Sequence, residues 1–198
     1  MTDITIVSAM SSNYVIGHEG KIPFDLPEDR QFFREYCRNK TLVVGYQTFL
    51  GLPKMPDVSV YVLTNKKTKE AYKAYIDKVS RYHGDSPYYQ FMTGTLDQFK
   101  DLLLSPSYLT GGEIIIGGGA EVYKTFLPFA DRCILTQYHA QVDGDTKFPI
   151  HLANELNGTL LVKKVVYHEP WSKLRNQPKW TRTTSLVGQD GYKRLLVR

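Results

Sequence analysis

The stretch KIPFDLPEDRQFF, residues 21–33, places Glu28 and Asp29 directly behind Pro27 and ahead of Phe32, Phe33 and Tyr36. Two readings are compatible with it. In the first the acids only start a helix, since proline suits a first turn and the helix dipole stabilises carboxylates there. In the second, one carboxylate points into a pocket and handles a proton. A second stretch, IIIGGGAEVY (114–123), sets three glycines after an apolar strand. Such glycines let backbone approach something closely, and the helix after them starts with free N–H groups, which suits a pyrophosphate. They also serve tight strand–helix packing. Gly45-Tyr46-Gln47-Thr48 repeats the theme of strand, glycine and hydroxyl at a helix start. Two such turns in one α/β domain point to a dinucleotide more strongly than either alone.

Other chemistries find less support. Residues 117–122 read GGGAEV, so the G-x-G-x-x-G spacing is absent, and no P-loop lysine follows. An ordinary nucleotide-binding fold is therefore disfavoured. The histidines, 18, 83, 139, 151 and 168, show no metal spacing, and there is no G-x-S-x-G elbow. No metal site is expected. Cys37 and Cys133 lack the spacing of a disulfide framework, which suggests two reduced thiols in a cytoplasmic protein.

The elements that must position these residues alternate. Strands are expected at 4–10, 41–44, 58–64, 88–92, 113–116 and 132–138, with strand-like runs at 158–168, 180–187 and 192–198. Helices are expected from Pro27 to about Arg38, around Thr48–Leu50, over Lys66–Ser80, from a Thr95 cap to about Leu104, and after the glycine turn. Residues 11–23 read as loop, punctuated by Gly17, Gly20 and Pro23. This order predicts an α/β fold with a mostly parallel twisted sheet, flanking helices and an antiparallel C-terminal edge. At 198 residues without a linker or repeat, the chain is expected to form one domain, residues 1–198.

The composition is that of a soluble globular protein, with 42% hydrophobic and 23% charged residues. The start, Met-Thr-Asp-Ile-Thr-Ile-Val, has no basic n-region, so no signal peptide or membrane span is expected. The net charge of +5 is uneven: residues 163–198 carry nine Lys/Arg against two Asp/Glu. These basic residues alternate with apolar ones as on a solvated sheet face, so nucleic-acid binding is not expected.

Three blocks, in order, resemble the dihydrofolate reductase family nearly end to end. VIGHEGKIPFDLPEDRQFF resembles its flexible active-site loop and the helix with the catalytic carboxylate. NKTLVVGYQTF resembles its N-K-P-x-x-x-G-R-x-T-W block. IIIGGGAEVYKTFLPFADRCILTQYHAQVDGDTKFP resembles the segment from its glycine pair to the D-T-x-F-P signature. The resemblance implies hydride transfer from NADPH to C6 of 7,8-dihydrofolate with protonation at N5, by a single domain acting as a monomer. It makes Asp29 the ionisable group of the pterin pocket, with a pKa raised by desolvation, and Thr136 its support. Val7, Ala9, Phe24 and Phe33 would line the substrate site. Ile22 would sit on a mobile loop closing over the nicotinamide, with Tyr123 nearby. Ala9, Ile16 and Gly17 would meet the nicotinamide amide. Gly45, Tyr46 and Thr48, with Gly118, Gly119, Ala120, Glu121 and Val122, would hold the rest of the cofactor. Gly144 and Asp145 would support the closed loop.

The sequence also departs from the family pattern. Val58 stands where an arginine normally clamps the glutamate tail of the folate, a pairing worth roughly 2–4 kcal/mol. Arg30, or Lys54, could replace it. Tyr46 stands where a cofactor-binding arginine is usual, leaving Thr64, Asn65, Lys66 and Lys67 to meet a 2′-phosphate. The alternatives are a related reductase on the same fold with another pterin- or pyrimidine-like substrate, of the riboflavin-pathway type, and a non-catalytic ligand-binding protein.

Overall fold

In the computed structural model, residues 3–55, 57–65, 73, 88–93, 95–105, 112–138, 140–154, 159–166 and 180–181 are described. The strands are β1 (Asp3–Ser11), β2 (Val15–Gly17), β3 (Thr41–Gly45), β4 (Ser59–Thr64), β5 (Tyr88–Thr93), β6 (Glu113–Ile116), β7 (Arg132–Tyr138), β8 (Thr146–Lys147), β9 (Thr159–Val166) and β10 (Trp180–Thr181). The helices are α1 (Pro27–Cys37), α2 (Tyr46–Gly51), α3 (Leu96–Leu104), α4 (Ala120–Phe126) and α5 (Ile150–Asn154), with a 3-10 turn at Leu127–Phe129.

Eight strands form one sheet in the order β10-β9-β7-β1-β6-β3-β4-β5, and β2 pairs with β8 in a second, antiparallel sheet. In the large sheet β9 and β10 are antiparallel, while β1, β3, β4, β5, β6, β7 and β9 run parallel to their neighbours among them. The fold is thus α/β with an antiparallel edge at β10. Strands buried on both faces explain the unbroken apolar runs of the sequence. Side chains alternate between two cores: Ile4, Ile6, Val43, Ile114 and Ile116 pack toward α4 residues Val122, Tyr123 and Phe126. Val7, Leu42, Val44, Ile115 and Ile134 pack toward Phe32, Phe33 and Tyr36 of α1 and Phe49 of α2.

Local signals account for several boundaries. Pro27 opens α1 with Glu28 and Asp29 in its first turn. Thr95 and Gln98 form a capping box at α3: the Gln98 N–H donates to the Thr95 hydroxyl at 3.2 Å and the Thr95 N–H to the Gln98 amide oxygen at 2.9 Å. Two expectations need correction. Residues 15–17 are a strand rather than loop, because β8 lies alongside to pair with them. Helix α2 begins at Tyr46, ahead of Thr48, because extended Gly45 serves directly as its cap. The helix expected over 66–80 lies outside the described residues apart from Lys73, as does the run at 192–198.

Candidate active site

The candidate site lies at the carboxyl ends of β1, β3, β6 and β7, where open parallel sheets bind ligands. Pairing of β1 with β6 ends at Ile6–Ile116, whereas β1 stays paired with β7 through Ser11–Tyr138. The two central strands therefore part just before the glycine turn. Beyond that point Ala9 sits opposite Thr136. Tyr123 of α4 spans the gap, its hydroxyl donating to the Val7 carbonyl at 2.9 Å. Tyr123 is fully buried, and desolvation raises its pKa strongly, so it stays a neutral phenol.

Helix α1 brings its first turn over this opening. The Thr136 hydroxyl, 1% exposed, donates to Asp29 Oδ1 at 2.5 Å. A charge-assisted bond of this kind fixes the carboxylate plane. One turn along, Phe33 faces the glycine turn: a Cβ on Gly117 would lie 3.2 Å from its Cζ. Phe24 packs on Tyr138 with ring centroids 5.4 Å apart.

The second part of the site is a cradle of backbone. The Gly45 N–H donates to the Gly118 carbonyl at 2.6 Å, and the Gly117 N–H to Val43 at 2.9 Å. The Gly118–Gly119 peptide bond is cis, and Gly118 has φ +114°, a conformation that favours glycine. Thr48 presents its hydroxyl here: a Cβ on Gly118 or on Gly119 would stand 3.4 Å from Thr48 Oγ1. At Gly119 the Thr48 hydroxyl alone stands that near, whereas a Cβ on Gly118 would come 3.0 Å from the Tyr123 hydroxyl. Val122 is buried beneath Gly45, Ala120 is half-buried and Glu121 is exposed.

The third part is a lid formed by β2 and the turn after it. His18 and Lys21 exchange backbone hydrogen bonds of 2.8 and 3.0 Å, with Glu19 at φ +49° and Gly20 at φ +76°, the geometry of a tight hairpin. The lid is held from the β8 side. The Glu19 N–H donates to Asp145 Oδ2 at 2.9 Å, and Thr146 donates its hydroxyl to Asp145 Oδ1 at 2.7 Å. These bonds hold the Asp145 carboxyl below its ordinary pKa range. Gly144 lies so close that a Cβ there would come within 2.6 Å of the Gly17 carbonyl. Asn13 ties the base of the lid to Val142 through bonds of 2.9 and 3.1 Å.

Asp29, Thr136, Val7, Ala9, Phe33 and Tyr123 thus gather on one side of the opening, and Gly45, Thr48, Gly118 and Gly119 on the other. Ile16 packs against the core beneath the lid and Gly17 pairs with Thr146. Ile22 is 67% exposed at the lid's end. Arg30 forms an ion pair with Asp25, both largely exposed. Val58 is 2% exposed, in the core with Phe49 and Met55. Tyr46 packs on Phe49, with centroids 6.3 Å apart. Thr64 is buried and Asn65 exposed at the carboxyl end of β4, while Lys66 lies outside the described residues. Sequence reasoning missed Asn13, whose contacts join segments remote in sequence. Among the described residues no cluster of three or more His, Cys, Asp or Glu could hold a metal. Both cysteines are buried and neither is in a disulfide.

Chemically, this arrangement can offer a carboxylate to the N–H groups of a flat heterocycle, beside a backbone cradle for a dinucleotide. The comparisons agree with it. The dihydrofolate reductase family model matches residues 3–158, and the chain belongs to that family. A dihydrofolate reductase from Buchnera aphidicola subsp. Acyrthosiphon pisum is 29% identical, over 82% of this chain and 88% of its own length. Dihydrofolate reductase type A13 from Escherichia coli is 30% identical, over 83% and 93%. A solved structure of dihydrofolate reductase from Enterococcus faecalis, complexed with NADP(H) and RAB-propyl, superposes with a TM-score of 0.55 at 29% identity, covering 78% of this chain and 79% of that one.

Proposed function

We infer that the protein is an NADPH-dependent oxidoreductase that reduces 7,8-dihydrofolate to 5,6,7,8-tetrahydrofolate. The observation that carries this reading is the Thr136–Asp29 pair at the strand ends, set beside the glycine cradle. The related-reductase and binding-protein alternatives are not favoured, because the relatives named above are dihydrofolate reductases and the chain retains the carboxylate, its supporting hydroxyl and the cradle. NADPH supplies the hydride that reaches C6 of the substrate.

The chain's own residues do the rest. Asp29 accepts from the N–H and exocyclic amine of the pterin with its two oxygens, and so orients C6. Thr136 keeps the carboxylate in the required plane. The Asp29 side supports delivery of the proton to N5, by a route that includes solvent. Gly45, Thr48, Gly118 and Gly119 take the pyrophosphate against backbone N–H groups, while Val7, Ala9, Phe24 and Phe33 flank the pterin. Tyr46 stacks on the adenine, and Thr64, Asn65 and Lys66 meet the 2′-phosphate. Ala120, Glu121 and Val122 back the cradle, and Ala9, Ile16 and Gly17 meet the nicotinamide amide. Ile22, exposed at the lid's end, closes on the nicotinamide and excludes water. Arg30, released from Asp25, meets the carboxylate of the glutamate tail.

Residues 1–198 work as one domain, as a monomer in the cytoplasm; light scattering checks the monomer. Among the described residues no helix is long and apolar enough to cross a membrane. The test of function is loss of NADPH absorbance on adding dihydrofolate. Turnover that forms tetrahydrofolate supports the assignment. NADPH binding without turnover points to another substrate, and no NADPH binding leaves only the fold.

A further inference from the structure

A cavity of about 380 Å³ opens between α4, β8 and α5, and the chemistry above makes no use of it. Its apolar lining is Tyr14, Phe148, Pro149 and Ile150. Backbone bonds hold this lining in place: the Phe148 N–H donates to the Tyr14 carbonyl at 2.8 Å, and the Ile150 N–H to the Phe148 carbonyl at 2.8 Å. Phe148 is 2% exposed and also packs on Tyr123, with ring centroids 5.2 Å apart. The charged lining comes from three elements: Lys124 from α4, Lys147 from β8 and His151 from α5, with Glu121 the one carboxylate among the described lining residues. Lys124 and Lys147 are exposed, and no ion pair among the described residues holds either of them. Asp29, Thr136, Gly45 and Thr48 do not line the cavity.

We propose that this cavity is a second ligand site, for a small aromatic monoanion of the aryl carboxylate type. Its volume lies at the small end of ligand pockets and suits one or two rings. The floor of Tyr14, Phe148, Pro149 and Ile150 takes a flat ring by removing apolar surface from water. The two ammoniums reach over that floor on apolar stems and leave their heads at the rim, where the anionic group sits. Two ammoniums against the Glu121 carboxylate leave one positive charge, which selects a monoanion. A neutral ring leaves that charge unanswered, and a cation meets the excess directly. His151 adds a ring N–H as donor. The site stands independently of the reading of the glycine cradle.

The test is titration of the full chain, already saturated with NADPH, with naphthalene-1-carboxylate, followed by calorimetry and by amide chemical shifts. Saturable binding that moves the Lys147–His151 amides is expected, with the same affinity in the absence of NADPH. Exposed charge pairs are weak, so Lys124→Gln and Lys147→Gln should each lower affinity by about two- to fivefold, and the double variant by about the product. Naphthalene-1-carboxamide, the neutral analogue, should bind the wild type several-fold more weakly and lose nothing further in the double variant. This comparison needs no altered chain. Displacement of the probe by NADPH would make the cavity part of the cofactor site and overturn the proposal. So would equal binding of carboxylate and carboxamide, wild-type affinity in the double variant, or no saturation at millimolar probe. A chain that binds the probe but no NADPH would refute the functional reading and leave this site standing.

Discussion

Thr136 and Asp29, 107 residues apart in sequence, are joined by a hydrogen bond of 2.5 Å in which the threonine hydroxyl donates to the carboxylate. Thr136 comes from the middle of the sheet and Asp29 from the first turn of α1, so the bond fixes helix to sheet at the reacting end. Thr136→Val keeps the shape and removes the donor. Hydrogen bonds to charged groups are worth about 1.5–3 kcal/mol, so kcat/KM for dihydrofolate should fall by about ten- to a hundredfold. Steady-state kinetics check this, with NADPH affinity as the quantity that should change least.

The substrate's tail offers a second test. Val58 is buried in the core, so it presents no cation, while Arg30, which follows Asp29 on α1, is exposed and paired with Asp25. If Arg30 exchanges Asp25 for the tail carboxylate, Arg30→Ala should raise KM for dihydrofolate several-fold and leave KM for dihydropteroate, which lacks the glutamate, nearly unchanged. Equal effects on both substrates would remove Arg30 from tail recognition. An exposed pair is worth about 0–1 kcal/mol, so a several-fold change is the upper expectation.

The lid supplies a third. Gly144 lies against Val15 and the Gly17 carbonyl, with no room for a Cβ. Gly144→Ala should push β8 and its loop away from β2 and loosen the Asp145–Glu19 bond. Misplacement of about 1 Å at a reacting centre costs up to about a hundredfold, so the single-turnover rate should fall by between ten- and a hundredfold. Wild-type rates in this variant would mean that the lid does not need this support.

At the opposite end of the sheet, Glu113 gathers three elements, β1, α1 and β7, and the run after α1. It accepts from Thr5, from the Tyr36 hydroxyl at 2.6 Å and from Lys40 at 2.8 Å, and Arg132 lies 3.8 Å away. Burial acts to raise its pKa, but the bonds from Lys40, Thr5 and Tyr36 outweigh burial and lower it from 4.5. A carboxyl lowered by folding stabilises the protein above its unfolded value, and that contribution is lost as pH falls below about 4.5 through the folded value. Tyr36 is raised to about 12, first by burial and then by Glu113. Its contribution is present below pH 10 and is lost as pH rises from about 10 to about 12. Glu113→Gln should therefore lower stability by about 1–3 kcal/mol at pH 7 and flatten the loss at both extremes. Denaturant unfolding at several pH values reads this directly.

Much of this fold was legible in the chain. The bounds Arg132–Tyr138 and the start of α1 at Pro27 follow from an apolar run between polar residues and from a proline before two acids. The glycine turn and Gly45 showed where backbone comes close, and the resemblance paired Asp29 with Thr136. Other features depend on proximity that local sequence does not carry. β2 has three residues, too few for a periodic signal, and exists because β8 and Gly144 lie against it. The partners of Glu113 come from β1, α1, β7 and the residue run after α1, so no spacing announces them.

The most direct test of the account is the single-turnover rate of NADPH oxidation with saturating dihydrofolate, wild type against Asp29→Asn. General acid–base and orienting groups contribute about 10²–10⁴-fold, so the variant should lose at least about a hundredfold while still binding NADPH. A variant that reduces dihydrofolate at the wild-type rate would contradict the assignment of Asp29 as the polar centre of the site.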